Sequence, residues 1–253
     1  MTDHPMIKRL RALPEAAMRC EVLVEWVRQA EAQDILGFFS RVLDGMLRRD
    51  KACLDILDAV HSAVLVGQKQ DELYEVLAEV YRLAGDEENE AVKHLLTVAT
   101  PMRGPLELHE VPSDLEMSRI TLGRRKYLAR GQNRGHLDRL LLDSDPSVVC
   151  NLLRNPRLVE QDVVRLAARR PARDIIQREI YSSRWGGRYK VRMALICNPY
   201  TPTDLSIKLA GFLLRKDLRM ITRDHGLHSL VRAEAERLLQ AKEMLGDGGN
   251  EDQ

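Results

Sequence analysis

A segment of this chain recurs 43 residues later with the same order of apolar and turn residues. SVVCNLLRNPRLVEQDV at 147–163 matches YKVRMALICNPYTPTDL at 189–205, with Val148, Leu152 and Asn155 aligned to Val191, Leu195 and Asn198. In each copy an apolar run ends at an Asn-Pro pair, which begins at Asn155 in the first copy and at Asn198 in the second. A partial third copy, SLVRAEAERLL at 229–239, follows at an offset of 40. A period of about 40–47 residues is typical of arrays of helical hairpins.

The rest of the chain also has a helical pattern. In KACLDILDAVHSAVLV, the apolar residues Leu57, Val60 and Val64 recur at three- and four-residue steps and so share one helical face. Aromatic residues make up only 4% of the sequence, which is typical of an aliphatic core, and no long segment alternates apolar and polar residues. We therefore predict an all-α protein: an α-solenoid of HEAT-like helical hairpins preceded by an N-terminal helical section.

Composition divides the chain into four predicted sections. Residues 1–99 form an N-terminal helical section, and 100–118 form a connecting segment that contains three prolines and a glycine. Because this segment is rich in apolar residues, we expect it to lie against the body of the protein. Residues 119–241 form the HEAT-like repeat section. The acidic tail 242–253, which contains GDGGNEDQ, is predicted to be disordered.

The segments DPSVVCNLLRNP, VRLAARRP and VRMALICNPYTP carry a resemblance to a known family. With them, the repeat section resembles bacterial HEAT- and armadillo-like α-solenoid proteins and is similar to leucine-rich-repeat variants. The resemblance implies a stacked helical array with a concave binding surface, and it implies no particular partner. In length, helical content and basic charge the chain is also similar to HEAT-like DNA glycosylases, but no catalytic residue of that family can be matched here.

The corner at LICNPYTP combines a helix stop with a helix start. We expect Asn198 to bridge the turn through its side-chain amide or through a left-handed backbone. Pro199 cannot continue the preceding helix. Thr201 is predicted to be the N-cap of the next helix, with Pro202 at its first position and Asp204 in its first turn. The polar residues of this corner are therefore interpreted as structural.

Charge is distributed unevenly along the sequence. Residues 1–100 contain 12 Lys/Arg and 18 Asp/Glu, whereas 118–192 contain 18 basic and 7 acidic residues, a net charge of +11. If the repeats stack, basic residues at equivalent positions line up on one surface. The bases of a nucleic acid would then stack on Trp185 and Tyr189 while arginines contact phosphates. The candidate surface for a partner or a nucleic acid consists of Arg124, Arg125, Lys126, Arg130, Arg134, Arg169, Arg170, Arg173, Arg184, Trp185, Arg188, Tyr189 and Arg192.

The same residues have a structural interpretation. Arginines can lie over neighbouring helices and pair with acidic residues, and Trp185 can be packed at a repeat junction beside the Gly-Gly turn that follows it. The sequence leaves both interpretations open.

Sequence motifs for catalysis are sparse. His225 and His228 form at most half a metal site, and the four cysteines have no CxxC spacing. We find no glycine-rich phosphate loop, GxSxG or HExxH, and therefore assign no catalytic residue, no cofactor and no metal. The N-terminus lacks the apolar core of a signal peptide, and no run is long enough for a membrane helix, so we expect a cytoplasmic protein.

Three functions remain as hypotheses from the sequence. The first is a non-enzymatic scaffold or adaptor that binds a protein partner on the solenoid surface. The alternative is a nucleic-acid-binding protein that uses the basic stretch 118–192, with a HEAT-like DNA-repair glycosylase as its enzymatic version. The third is self-association between the acidic half of one chain and the basic half of another.

Overall fold

The computed structural model describes residues 4–48, 50–65, 70–97, 99, 101–104, 111 and 113–244, and these residues form an all-α protein. No strand occurs among them, which confirms the prediction that the protein is all-α. Within the same residues, no helix combines the length and the apolar character needed to span a membrane. The contacts divide the chain into two compact units.

The first unit runs to Thr97 and takes in the last helix from Arg237 onward. Its core is aliphatic and aromatic: Ile35, Phe38 and Phe39 on one helix are fully buried. Val60 and Val64 are buried as predicted, although they lie in a π-helical turn, Val60–Leu65, that continues the fourth helix. The helices before the boundary are α1 (Pro5–Arg11), α2 (Ala16–Gln29), α3 (Ala32–Leu47), α4 (Lys51–Ala59), α5 (Gln70–Asp86) and α6 (Glu90–Leu96).

The second unit contains the described residues between Thr97 and Arg237. Part of the predicted connecting segment packs in it: the backbone N–H of Arg103 donates to the carbonyl of Pro199 at 3.1 Å, and Val111 is buried. Its helices are α7 (Leu115–Ser118), α8 (Leu122–Ala129), α9 (Arg134–Leu140), α10 (Pro146–Arg154), α11 (Glu160–Ala168), α12 (Asp174–Ser182), α13 (Tyr189–Ile196), α14 (Thr203–Ala210), α15 (Arg215–Arg223) and the part of α16 (Ser229–Met244) that precedes Arg237.

Helices α8, α9 and α10 of the second unit begin at side chains that satisfy their first N–H groups. Thr121 caps α8, Asn133 caps α9, and Asp145 accepts from the N–H of Ser147 at 2.9 Å at the start of α10. Pro146 occupies the first position of α10, where no N–H is needed. These caps fix where each helix starts and therefore which side chains face the core.

The two Asn-Pro corners have the same hydrogen bonds. Asn155 donates from Nδ2 to the carbonyls of Ala129 and Gly131 at 2.7 and 2.8 Å. Asn198 donates from Nδ2 to the carbonyls of Ala167 and Arg169, both at 2.8 Å. Each buried amide thus joins the end of its own helix to the end of an earlier helix, α8 or α11. The expectation of a side-chain bridge at Asn198 is correct.

Thr201 does not have its predicted role. Its hydroxyl donates to the carbonyl of Leu195 at 2.7 Å and so closes the end of α13. The N-cap of α14 is Pro202, and the helix begins at Thr203 without a side-chain cap. The hydroxyl is buried, and it shares the carbonyl of Leu195 with the backbone N–H of Asn198, which donates to the same oxygen at 3.0 Å. Asp204 lies in the first turn of α14, as predicted.

The carboxyl ends of α8, α10 and α12 lie side by side. Helix α10 packs against both α8 and α12, and α11 packs against α13. The Asn155 bridge joins the ends of α8 and α10, and the indole of Trp185, just after α12, donates to the carbonyl of Leu153 near the end of α10. This arrangement places the residues at three helix ends on one part of the unit, where the candidate site lies.

Candidate partner-binding surface

Several arginines, including Arg125 and Arg134 of the predicted surface, form ion pairs with buried aspartates of the second unit. Arg125 on α8 donates from Nη1 to Asp143 Oδ2 at 2.6 Å. The side chain of Asp143 is 1% exposed, so its charge needs this cation. Arg178 on α12 makes a two-pronged pair with Asp204 at 2.8 and 2.9 Å. These guanidinium groups therefore hold helices together.

Asp162 is the centre of the densest of these pairs. Arg134 donates to its two oxygens at 2.6 and 2.5 Å, and Arg165 donates to Oδ1 at 2.6 Å. The same carboxylate accepts from the backbone N–H of Val159 at 3.1 Å, which closes a capping box at the start of α11. The hydrogen bonds from Arg134, followed by those from Arg165 and Val159, lower the pKa of Asp162 to about 2 against the cost of burial. Asp162 in turn raises the pKa of Arg134.

Three predicted arginines donate to backbone carbonyls. Arg169 Nη1 bonds the carbonyl of Asp143 at 2.9 Å, and Arg173 Nη1 bonds that of Ser144 at 3.2 Å. Arg170 donates to the carbonyl of Cys197. Burial lowers the pKa of Arg169, and the charge of Asp143 opposes this shift. The three side chains satisfy loop and helix-end carbonyls, which is a structural use of their charge.

The aromatic residues of the predicted surface are bonded internally. Trp185 is half-buried, its indole N–H donates to Leu153 at 2.9 Å, and the guanidinium of Arg184 lies 4.7 Å from the centre of its ring. The hydroxyl of Tyr189 donates to Asp217 and accepts from the N–H of Leu214 at 3.1 Å. The indole N–H of Trp185 and the hydroxyl of Tyr189 are therefore both bonded within the fold. Arg184 also lies over the Trp185 ring, which the nucleic-acid hypothesis requires to be free for base stacking.

The remaining predicted residues differ in exposure. Arg192 is half-buried, donates to the carbonyl of Gly186 at 2.8 Å and lies over the ring of Phe212. Arg124 is exposed with its guanidinium 4.9 Å from the ring of Tyr127. Arg130 donates from Nε to Asn151 at 3.0 Å. Lys126 on α8 is half-buried, and Arg188 is exposed just before α13. The thirteen predicted residues are therefore spread over the segment from α8 to α13 and do not form a single cluster.

Four arginines surround the end of α10, and two of them were not among the predicted residues. Arg184 donates to the carbonyl of Asn155 at 3.0 Å, and Arg130 bonds Asn151 one turn before the helix end. Arg154 is the last residue of α10, and Arg157 follows in the corner; both are exposed. We call Arg130, Arg154, Arg157 and Arg184 the α10-end cluster. Cations are favoured here because the last carbonyls of a helix carry partial negative charge.

A groove of about 330 Å³ opens between the ends of α10 and α12 beside this cluster. It combines two guanidinium groups with one carboxylate and two hydroxyls, a set that orients a polar ligand by charge and by hydrogen bonds. We call it the α10–α12 groove, and the residues that line it are Cys150, Leu153, Arg154, Glu179, Ser182, Ser183 and Arg184.

Sequence reasoning missed Arg154 and Glu179 because their relation is tertiary. They lie 25 residues apart in the chain, and nothing in either segment alone indicates that the two helix ends meet. The charge asymmetry of 118–192 was the only signal, and it included the arginines that bond internally.

Metal chemistry has no support in the described ranges. They contain no group of three His, Cys, Asp or Glu side chains that could hold a metal ion. His225 contacts Arg232 through Nδ1 at 3.2 Å, and His228 accepts from the N–H of Leu230 at 3.2 Å at the start of α16. The two histidines therefore stabilise the connection between α15 and α16.

Comparison with known proteins identifies no relative: no family model, no curated protein and no solved structure matches the chain.

The pKa of Asp162 predicts an acid-dependent loss of stability. Because the folded pKa is about 2 and the ordinary value is 3.8, the carboxylate stabilises the fold fully above the unfolded pKa and loses this effect as pH falls through about 2. We expect the difference in unfolding free energy between wild type and Asp162→Asn to shrink as pH decreases from about 5 to about 2. Urea unfolding at several pH values measures it, and a difference that stays constant would contradict the assignment.

Proposed function

We propose that this chain is a non-enzymatic binding protein in which residues 119–241 form a HEAT-like helical array that holds an acidic segment of a protein partner. The binding site is the α10–α12 groove with the α10-end cluster. The partner segment is an extended stretch of Asp and Glu residues, whose carboxylates pair with Arg154 and Arg157 at the groove.

Equivalent contacts between successive helices support the array. The Asn155 and Asn198 corners make matching pairs of hydrogen bonds. In two places an arginine reaches a buried aspartate in the first turn of the next helix but one: Arg134 on α9 with Asp162 on α11, and Arg178 on α12 with Asp204 on α14. Contacts that recur along the chain are what stacked repeats require.

The observation that carries the choice of partner is the internal bonding of Trp185 and Tyr189. Sequence-tolerant binding of single-stranded nucleic acid depends on free aromatic faces for base stacking. Here Arg184 lies over the Trp185 ring and both polar ends are bonded. What the surface offers outward is arginine charge next to a small polar groove, and this suits carboxylates of a peptide better than stacked bases.

Exposed arginines at a helix end are suited to acidic segments for a second reason. A guanidinium group binds a carboxylate through two parallel hydrogen bonds, so each Arg–Glu contact has a defined geometry. Glu179 within the groove repels other carboxylates and so restricts where an acidic side chain can enter. The groove is therefore expected to bind peptides whose acidic side chains have a particular spacing, in preference to other polyanions.

The binding test uses the full chain and a fluorescently labelled peptide of eight alternating Glu and Ala residues. We expect saturable binding that weakens with added salt, and a loss of about tenfold in affinity for Arg154→Glu, since the reversal replaces an attraction by a repulsion. Arg219→Glu is the matched control, because Arg219 is an exposed arginine on α15 outside the groove, and its affinity should stay unchanged. Fluorescence anisotropy at two salt concentrations measures both.

Two outcomes would overturn this function. Equal loss in the Arg154 and Arg219 variants would mean that the peptide responds only to overall charge. Tighter binding of a single-stranded or duplex DNA oligonucleotide of the same charge would favour the nucleic-acid alternative, and excision of an alkylated base from that DNA would favour its enzymatic version. Concentration-dependent self-association without peptide binding, measured by sedimentation, would favour contact between two copies of the chain.

A further inference from the structure

A second cavity lies in the first unit, between the start of α1 and the helices α2 and α3. Its volume is about 660 Å³, which lies within the range of about 300–1,000 Å³ that small-molecule sites occupy. No part of the function proposed above uses it. We call it the His4 cavity, and its lining is His4, Pro5, Met6, Arg9, Trp26, Asp34 and Arg41.

The wall of the His4 cavity is aromatic and held in place. The ring of His4 meets Trp26 edge-on with centroids 5.7 Å apart, and it meets the fully buried Phe38 at 5.6 Å. Trp26 and Phe38 are themselves 5.1 Å apart in a T-shaped contact. Three rings that contact each other pairwise restrict one another, so the half-buried indole of Trp26 presents a fixed apolar surface.

The His4 imidazole has a defined protonation. Its Nδ1 accepts from the backbone N–H of Met6 at 3.2 Å, so the neutral ring carries its proton on Nε2. Burial lowers the pKa of His4, the charge of Arg41 lowers it further, and Asp34 opposes both. At neutral pH the ring is therefore an uncharged hydrogen-bond donor.

The charged groups of the cavity are two cations and one anion on separate elements. Arg9 extends from α1, and Arg41 and Asp34 lie seven residues apart on the same side of α3, two turns from each other. All three are exposed, so a ligand can reach them from solvent. Two guanidinium groups next to an aromatic surface attract an anion, whereas the single carboxylate accepts a hydrogen bond from a ligand amine or hydroxyl.

From these groups we propose that the His4 cavity binds a small anion of the nucleoside monophosphate class. The base packs against Trp26, the phosphate is held between Arg9 and Arg41, and Asp34 accepts a hydrogen bond from the sugar or from an exocyclic amine. The chemistry matches the three parts of such a ligand in one cavity: an aromatic ring, an anionic group and hydrogen-bond donors.

NMR of the full chain tests this with adenosine monophosphate as the probe. The two tryptophans give two indole N–H signals, which Trp185→Phe assigns. We expect the Trp26 signal to shift and saturate while the Trp185 signal stays in place. Adenosine and inorganic phosphate should each bind at least about tenfold more weakly than the nucleotide, because each lacks one of the two main contacts.

Two substitutions on α1 distinguish a specific contact in the cavity from a general effect of positive charge on nucleotide binding. Arg9→Ala should weaken nucleotide binding about tenfold, whereas Lys8→Ala removes an equally exposed neighbouring cation outside the cavity and should leave it unchanged. Arg41→Gln gives a second test on α3, and circular dichroism checks the fold of each variant. Absence of a saturable Trp26 shift at about 10 mM nucleotide would overturn the proposal, as would equal weakening by the Arg9 and Lys8 substitutions.

Discussion

Asn198→Asp is expected to lower the unfolding free energy of the second unit by about 4 kcal/mol, a larger loss than Asn198→Ala at about 2–3 kcal/mol. Asn198 is 1% exposed and donates to the carbonyls of Ala167 and Arg169. The alanine variant leaves these carbonyls without their donor. The aspartate variant in addition places a negative oxygen against two carbonyl oxygens in a buried site. Urea unfolding followed by far-UV circular dichroism measures the change.

Asn151→Asp is the matched control for this substitution. The amide oxygen of Asn151 accepts from Arg130 Nε, and a carboxylate accepts the same bond with added charge, so its stability should stay within about 0.5 kcal/mol of wild type. Asn155→Asp should behave like Asn198→Asp, because the buried Asn155 bonds Ala129 and Gly131 in the same way. If the Asp and Ala variants at position 198 were equally stable, the amide donor would not be the group that holds the corner.

The Asn corners were predictable because they are local and occur twice. An apolar run followed by Asn-Pro has few conformations available, and the 43-residue offset showed that Asn155 and Asn198 occupy equivalent positions. The carbonyls that the amides reach were not predictable. Ala167 and Arg169 precede Asn198 by about 30 residues, and only the packing of α11 beside α13 brings them together.

The role of Thr201 shows a limit of local reasoning. A hydroxyl two residues before a helix can cap that helix or bond the end of the preceding one, and the sequence TPT fits both. In the structure the hydroxyl bonds the carbonyl of Leu195 and does not cap α14. Helix α14 is buried along its whole length, so tertiary contacts fix where it starts. The intrinsic preference of a residue for a helix start is a weak guide where burial of the helix sets its first residue.

Most of the arginines could be counted but not interpreted from the sequence. A net charge of +11 over 118–192 indicated a basic surface, yet Arg125, Arg134 and Arg169 each bond a group that lies 18 to 28 residues away in the chain. Such pairs depend on which helix ends lie side by side. The His4 cavity has the same origin, because Arg9, Trp26 and Arg41 belong to three helices and form no sequence motif.

Asp162→Ala is expected to destabilise the second unit by about 2–3 kcal/mol at neutral pH. The side chain is 1% exposed and satisfies Arg134, Arg165 and the backbone N–H of Val159. Loss of a buried carboxylate with three donors costs more than loss of one hydrogen bond. The cost stays below that of a fully buried ion pair, because Arg134 and Arg165 are 46% and 54% exposed and regain water.

Asp138→Ala separates this effect from the loss of any acidic partner of the same arginines. Asp138 contacts Arg134 at 2.7 Å and Arg165 at 3.5 Å, but it is 43% exposed. Its removal should therefore change stability by less than about 0.5 kcal/mol. Asp162→Asn should lie between the two, since an amide oxygen still accepts from Val159 while the charge that pairs with both guanidinium groups is lost. If Asp138→Ala were as destabilising as Asp162→Ala, exposure would not govern these ion pairs, and the arginines would hold the helices by charge alone.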